Sequence, residues 1–218
     1  MNIACIFDWD GVIIDSSQHH IEAWERLAKE ENLFFPKHLF KKSFGMKNEE
    51  IIPNLWKWTN DINEIRRLDK KKEEIYRNIM IQEGPQKIKG IDNLLESFKQ
   101  INIPCAIGSS APFENIIAGL DKINFKKYFK VIVSGDDVKQ GKPSPDIFLC
   151  AAKKLNVEPE KCIVFEDAKV GIIAAHRAKM KVVAITTTYP EEELKDADLI
   201  VNSLKDVNVE EIIKLLKI

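Results

Sequence analysis

The sequence predicts an α/β protein with a doubly wound parallel sheet, into which an α-helical segment is inserted. Three observations carry this prediction. Short apolar runs recur along the chain with too few polar alternations for strands exposed on one face. Helical patterns separate these runs in the second half of the chain, as in proteins with parallel sheets. The segment 16–84 interrupts the alternation, because it carries helical patterns and no convincing strand.

Strands and helices of the α/β part follow from these runs. The predicted buried strands are 3–7, 105–108, 131–133, 162–165, 182–185 and 199–201. The helical patterns between them cover 91–100, 113–122, 145–155 and 170–179. Each helix is expected to connect two parallel strands of one sheet. Residues 1–15 and 85–218 are therefore expected to form one core domain.

The segment 16–84 is expected to form a separate α-helical domain inserted after the first strand. One face of its first helix is formed by Ile21, Trp24, Leu27 and Ala28. Ser16 or Ser17 is a suitable N-cap for this helix. Further helices are predicted from Asn48 and over 63–82. The inserted segment explains why the length falls between one ordinary domain and two.

Composition excludes several classes of protein. The chain of 218 residues has 33 basic and 34 acidic residues, so no basic excess favours nucleic acid. The run Lys70–Lys72 is followed by Glu73 and Glu74, which is typical of a solvated helix face. Apolar runs are too short to cross a membrane, and acidic residues come too early for a signal peptide. The four cysteines form no Cys-x-x-Cys pair. We expect a cytoplasmic monomer without membrane or nucleic-acid partners.

Chemically versatile side chains follow the predicted strands at the point where each strand ends. They are Asp8 and Asp10 after the first strand, Ser109 after the second, Lys142 in the loop after the third, and Glu166 and Asp167 after the fourth. The carboxyl ends of parallel strands share one edge of a sheet, which is where ligands bind in such folds. We therefore expect these side chains to form one site.

Four carboxylates in one crevice repel one another unless a cation compensates their charge. Oxygen ligands without nearby His or Cys favour Mg²⁺, which commonly pairs with phosphate oxygens. Ser109 and Lys142 supply a hydroxyl donor and a positive charge for the remaining phosphoryl oxygens. Asp8 is positioned to attack phosphorus, and Asp10 to act as general acid and base. The pattern predicts phosphoryl transfer.

Four motifs carry a resemblance to the haloacid dehalogenase superfamily over nearly the whole chain. They are DWDGVIIDS from Asp8, CAIGSS with Ser109, GKPSPDIF with Lys142, and VFEDAKVGIIAA with Glu166 and Asp167. The resemblance implies a Rossmann-like core with a C1-type helical cap, and it makes Asp8 the nucleophile and Asp10 the acid/base. It also implies that Asp8, the main-chain carbonyl of Asp10 and Asp167 hold Mg²⁺, with Glu166 often acting through water. The second aspartate, Asp10, disfavours the dehalogenase branch.

Within that superfamily the chain is similar to the β-phosphoglucomutase-like group. The resemblance rests on QHHIEAW, with His20 and Trp24, on FGMKNEE, and on Lys72 before Tyr76. In true mutases a cap arginine clamps the distal phosphate, whereas alignment on Gly45 places Asn48 here, beside Lys47. The substrate and cap residues are therefore predicted as His20, Trp24, Lys47, Asn48 and Lys72.

A neutral asparagine cannot make the bidentate charge-assisted contact of an arginine. The departure at Asn48 favours a Mg²⁺-dependent phosphatase acting on a small phosphorylated metabolite, such as a sugar phosphate. An intramolecular phosphotransferase of the β-phosphoglucomutase kind is the alternative, and a non-catalytic binding module on the same fold is a minor one. His20 is either a hinge or proton-relay residue or a packing residue, and Trp24 is favoured as a core residue over a ligand-stacking one.

Overall fold

A computed structural model of the chain describes residues 3–216, and a parallel sheet lies at its centre. The strands are β1 (Ala4–Phe7), β2 (Ile14–Asp15), β3 (Gln86–Lys87), β4 (Cys105–Gly108), β5 (Phe129–Val133), β6 (Cys162–Glu166), β7 (Lys181–Ile185) and β8 (Leu199–Val201). Six of them form the main sheet in the order β5-β4-β1-β6-β7-β8, with every neighbouring pair parallel. The predicted fold class is confirmed.

Helices cover both faces of this sheet. The α-helices are α1 (Ser17–Glu30), α2 (Asn48–Ile51), α3 (Ile62–Glu83), α4 (Ile91–Gln100), α5 (Phe113–Ile123), α6 (Asp146–Leu155), α7 (Lys169–Arg177), α8 (Glu191–Leu194) and α9 (Val209–Lys214). Cys5 and Phe7 of β1 join the apolar cluster formed with α4, α5 and α9, whereas Ala4 and Ile6 join the cluster formed with α6 and α7. Because β1 is buried on both faces, its sequence shows no polar alternation.

The direction of strand addition reverses beside β1. The chain passes from β1 to β4 and β5 on one side, and then returns to β6 on the other side of β1. Phe7 is paired with Phe165 at the carboxyl end of this junction. Residues that follow β1 and β6 therefore lie next to each other, at the type of crevice where open α/β sheets bind ligands.

We call residues 16–84 the cap segment. It contains an apolar cluster of its own, which includes Trp24 and Leu27 of α1, Leu68 of α3, and Trp56 between the helices. A wider π-helical turn, Ile52–Trp56, follows α2 and contains Pro53, which cannot donate a backbone hydrogen bond. The two points at which the chain enters and leaves the cap segment pair as the short antiparallel ladder of β2 and β3, which the sequence did not predict. The division into two domains stays a prediction.

Two local expectations differ from the structure. Ser16 precedes α1, but its hydroxyl makes no capping bond and instead donates to Asp10 Oδ1 at 2.5 Å. The solvated helix face expected around Lys70–Lys72 is wrong for Lys72 and Glu73, which are only 1% and 5% exposed. Within residues 3–216, no helix has the length and apolar character needed to cross a membrane.

Candidate active site

Lys142 lies at the centre of a buried group of charges below the carboxyl edge of the sheet. Its Nζ lies 2.9 Å from Asp8 Oδ1 and donates a hydrogen bond of 2.5 Å to Glu166 Oε1. All three residues are at most 3% exposed. Burial lowers the pKa of Lys142, but the two carboxylates outweigh this effect and raise it, which favours the charged form of the lysine at this edge.

Glu166 and Asp167 follow β6 and are held close to the backbone. Glu166 Oε2 accepts hydrogen bonds of 2.8 Å from the N–H groups of Asp167 and Ala168. Gly11 has a φ of +75°, and a Cβ there would lie 1.9 Å from Asp167 Oδ2. Glycine is therefore required at position 11 for its backbone conformation and for the close approach of this carboxylate.

Three carboxylates meet at this edge, those of Asp8, Glu166 and Asp167. Each contributes one oxygen atom, and the three atoms lie within 4.8 Å of one another. Asp167 Oδ2 is buried and has no hydrogen-bond partner among residues 3–216. Burial first, and then the charges of Glu166 and Asp8, raise the pKa of Asp167 well above its usual range. Burial likewise raises the pKa of Asp8 to about 6, although Lys142 opposes this shift. A hard divalent cation with oxygen ligands fits this set, since it would compensate the charge that Lys142 alone leaves unbalanced.

Asp10 lies at the end of a chain of polar contacts that runs into the cap segment. Its Oδ1 lies 3.4 Å from His20 Nε2, and His20 Nδ1 lies 2.8 Å from Lys72 Nζ. Since the ammonium group of Lys72 can only donate, Nδ1 accepts and Nε2 carries the proton that faces Asp10. Burial raises the pKa of Asp10, but contacts with His20 and Ser16 outweigh it and leave this pKa lowered. Burial and the charge of Lys72 lower the pKa of His20.

The candidate site opens into a cavity of about 300 Å³ between the sheet edge and the cap segment. Asp8, Asp10 and Ser109 line it from the core, and we call these three residues the sheet wall. The opposite side, which we call the cap wall, is formed by Asn48, Glu49, Asp69, Lys72 and Glu73. The structure thus brings Asp8, Asp10, Ser109, Lys142, Glu166 and Asp167 to one edge, with Lys142, Glu166 and Asp167 placed behind the sheet wall.

The predicted cap residues have different positions around this cavity. Trp24 lines it but is only 1% exposed and packs edge-on against Trp56 and Trp58. Lys47 points toward the core, where its Nζ donates to the carbonyl oxygens of Gly135 at 2.5 Å and Val138 at 2.9 Å. Its ammonium group therefore connects the cap segment to the core through two hydrogen bonds.

Asn48 lies in the cap wall, where its side chain faces two carboxylates. Its Nδ2 donates to Asp69 Oδ1 at 2.8 Å and to Glu73 Oε1 at 2.5 Å. Lys72 Nζ donates to the same Glu73 oxygen at 2.8 Å. Glu73 Oε2 accepts from Asn115 of α5, so this glutamate connects the cap segment to the core.

Sequence reasoning missed Ser16, Asp69, Glu73 and Asn115. The sequence does carry a signal for Ser16, since it stands in the same motif as Asp10, where its hydroxyl is also a suitable helix cap. Asp69 and Glu73 carry no such signal, because both lie in a strongly charged stretch of α3. Their role depends on which face of α3 packs toward the cavity.

Comparison with known proteins shows the family to which the chain belongs. The sequence profile of the haloacid dehalogenase-like hydrolase family matches residues 5–185. The chain belongs to this family. The resemblance inferred from the four motifs is therefore confirmed.

Curated relatives of this hydrolase include phosphatases from plants and bacteria. The chain is 35% identical over 98% of its length to the chloroplastic 5-amino-6-(5-phospho-D-ribitylamino)uracil phosphatase of Arabidopsis thaliana, of which it spans only 57%. It is 34% identical, over 80% of its length and 81% of the relative, to a phosphorylated carbohydrates phosphatase of Thermotoga maritima.

A solved structure supports the same assignment. The β-phosphoglucomutase of Clostridium difficile superposes with a TM-score of 0.89 at 31% identity, covering 100% of this chain and 98% of the mutase. The names of the two phosphatases and of the mutase describe enzymes that act on phosphorylated compounds. The hydrolase therefore has both kinds of enzyme among its relatives.

Proposed function

We propose that this hydrolase is a Mg²⁺-dependent phosphatase that releases phosphate from a small phosphate monoester, such as a sugar phosphate. The observation that carries the proposal is the convergence of Asp8, Asp10 and Ser109 on one cavity, with Lys142 against Asp8. Curated phosphatases among the relatives support it.

Asp8 is proposed as the nucleophile. One oxygen of its carboxylate forms a bond to phosphorus, the bond from phosphorus to the leaving alkoxide oxygen breaks, and an aspartyl-phosphate results. Lys142 lies 2.9 Å from Asp8 Oδ1, where it stabilises the anionic carboxylate and the phosphoryl oxygens near it. Ser109 lines the same cavity and can donate its hydroxyl proton to a phosphoryl oxygen.

Asp10 is proposed as the general acid and base. In its protonated form it gives a proton to the leaving oxygen, and the resulting carboxylate then removes a proton from a water molecule that attacks the aspartyl-phosphate. The water oxygen forms a bond to phosphorus, the bond from phosphorus to the Asp8 oxygen breaks, inorganic phosphate leaves and the Asp8 carboxylate is regenerated. The hydroxyl of Ser16 and the Nε2–H of His20 both face Asp10 Oδ1, so they fix its orientation. They also favour its ionised form, which is the form needed for the second step.

Mg²⁺ would be held by Asp8 and Asp167, together with the main-chain carbonyl of Asp10. Glu166 is suited to an indirect contact, because Lys142 and two backbone N–H groups already occupy its oxygen atoms. The bound ion would supply positive charge to the phosphoryl oxygens and compensate the neighbouring carboxylates.

The test is a phosphate-release assay with Mg²⁺ on p-nitrophenyl phosphate and a panel of sugar phosphates. Asp8→Asn should lower kcat by at least about 10⁴-fold, because the neutral amide cannot attack phosphorus. The matched control is Asp121→Asn, which changes an exposed aspartate of α5 and should retain the wild-type rate. Equal rates for wild type and Asp8→Asn would contradict the proposal.

A mutase is the second candidate, favoured by the close superposition on a β-phosphoglucomutase. It requires the phosphoryl group to move within one substrate skeleton, so a hexose 1-phosphate would become the 6-phosphate in a reaction that depends on a bisphosphate activator. Product analysis separates the two candidates. Free phosphate as the dominant product favours the phosphatase, whereas isomerised hexose phosphate favours the mutase.

A further inference from the structure

The cavity that faces the sheet edge is more acidic than a phosphate-binding site needs to be. Its lining has two lysines, Lys47 and Lys72, against six carboxylates, which belong to Asp8, Asp10, Glu49, Asp69, Glu73 and Asp136. Asp8 and Asp10 belong to the proposed chemistry, and a divalent cation would compensate part of their charge. The carboxylates of the cap wall lie outside the predicted metal ligands.

Both lysines of the lining already use their ammonium groups in contacts within the protein, and only Lys72 is paired with a carboxylate from residues 3–216. Lys47 Nζ donates to two backbone carbonyl oxygens of the core, at Gly135 and Val138. Lys72 is 1% exposed, and its Nζ contacts Glu73 Oε1 and His20 Nδ1, both at 2.8 Å. Two aromatic rings also cover this ammonium group, since it lies 5.3 Å from the centre of Trp24 and 5.1 Å from that of Tyr76.

The remaining polar groups of the cap wall are hydrogen-bond acceptors. Asn48 uses its amide N–H groups on Asp69 and Glu73, so its carbonyl oxygen is left for a ligand. Asp69 accepts only at Oδ1 and forms no salt bridge with any residue between 3 and 216. Glu49 adds another carboxylate to the same lining. Acceptors of this kind bind hydroxyl or ammonium donors and repel anions.

We propose that the cap wall selects phosphate monoesters whose alcohol part carries hydroxyl or ammonium donors and no second anionic group. Asp69 is the specificity-determining residue, because its carboxylate lines the cavity and has no ion-pair partner among residues 3–216. A bisphosphate or a phosphorylated sugar acid would place its second anion against this carboxylate and would be rejected. The inference rests on the proposed phosphatase activity and names the substrate class of that site.

The experiment compares ligands that share a skeleton and differ in charge. The probes are glucose 6-phosphate, glucosamine 6-phosphate, 6-phosphogluconate and glucose 1,6-bisphosphate, measured by kcat/KM for phosphate release. A probe that is not turned over is measured as an inhibitor of p-nitrophenyl phosphate hydrolysis. At least about tenfold preference is expected for the neutral and amino sugars over the two with a second anion, given one unfavourable charge pair in a partly buried site.

Variants then assign the preference to the cap wall. Asp69→Asn removes one negative charge and keeps the shape of the side chain. The preference for the neutral and amino sugar phosphates over the doubly anionic probes should therefore fall by about fivefold. The change should come mainly from a lower KM or inhibition constant for the doubly anionic probes. Glu74→Gln is the matched control, since Glu74 is an exposed residue of the same helix and lies outside the cavity lining. It should leave the preference unchanged.

Each failure has a distinct meaning. Similar values for all four probes in the wild type overturn the inference, and so does a variant Asp69→Asn that shifts the preference no more than Glu74→Gln. Both results leave the phosphatase standing, provided that p-nitrophenyl phosphate is hydrolysed and Asp8→Asn is inactive. Loss of that Asp8-dependent hydrolysis overturns the proposed function and, with it, the inference.

Discussion

The sheet wall and the cap wall face the same cavity, yet their charges are organised differently. Behind the sheet wall, Lys142 lies between Asp8 and Glu166, and strand ends fix the backbone at each carboxylate. In the cap wall, Lys72 and Glu73 pair with each other, while Asp69 accepts a hydrogen bond from an amide and forms no ion pair within the described part of the chain. Backbone topology thus determines the groups proposed for chemistry, whereas helix packing determines the groups proposed for selection.

The largest effect is expected from removing the central cation of the core site. Lys142→Met leaves Asp8 and Glu166 buried without their shared positive charge. We expect the free energy of unfolding to fall by about 3 kcal/mol, as when one partner of a buried ion pair is removed. Urea denaturation at neutral pH measures this change. Lys139→Met, at an exposed position, should change the free energy of unfolding little. An equally small loss for Lys142→Met would contradict the idea that Lys142 holds the buried carboxylates of the core site together.

The stabilisation of the protein by Mg²⁺ should depend on the carboxylates at the sheet edge and not on the cap wall. Mg²⁺ that binds only the folded protein stabilises it by about 2.7 kcal/mol at a hundredfold excess over Kd. The Tm should therefore rise with MgCl₂ relative to EDTA at matched ionic strength. Asp167→Asn should lose most of this rise, whereas the exposed-site control Asp196→Asn should retain it. An equal rise in all three proteins would remove Asp167 from the proposed metal site.

A moderate effect is expected where the two regions meet. Lys47→Met removes the hydrogen bonds from the cap segment to the carbonyl oxygens of Gly135 and Val138. Closure over the substrate should become less favourable, and KM should rise by about fivefold if one ordinary hydrogen bond of stabilisation is lost. Steady-state kinetics on the best sugar phosphate measures it. Lys42→Met, at an exposed position nearby, is the control, and equal KM values for both variants would argue against this contact.

The smallest effect is expected at the outer surface of the cap segment. Hydrogen bonds from Arg67 and Lys71 lower the pKa of Glu31 to about 2 from an ordinary value of 4.5. Because the pKa is depressed in the folded state, this stabilisation is complete above pH 4.5 and is lost as the pH falls toward 2. Arg67 is 48% exposed, so solvent screening limits the contribution of Glu31 to under about 1 kcal/mol.

Glu31→Gln should therefore unfold at lower urea concentration than wild type at pH 7, and the two proteins should converge as the solution is acidified. Glu74→Gln serves as the control, since it makes the same change at an exposed position of α3. A difference between Glu31→Gln and wild type that stays constant from pH 7 to pH 2 would show that the ion pairs are not its cause.

The same contrast explains what could be predicted from the sequence. Strand ends are local features, so apolar runs followed by Asp8, Ser109 and Glu166 were enough to predict one shared edge. Lys72 and Glu73 stand in a charged run whose burial depends on contacts with α1 and α5, and these contacts leave no periodic signal in the sequence. The ladder of β2 and β3 has two residues in each strand, too few for an alternating pattern.

That ladder has a consequence for how enzymes of this kind can change over evolution. Residues Ile14–Asp15 and Gln86–Lys87 are hydrogen-bonded neighbours, so the chain leaves the core and returns to it at nearly the same point. An insertion with adjacent ends can be lengthened, shortened or exchanged without altering the connections among the sheet strands. We expect descendants of such a gene to acquire new substrates by replacing the inserted segment, while the residues proposed for chemistry are inherited intact.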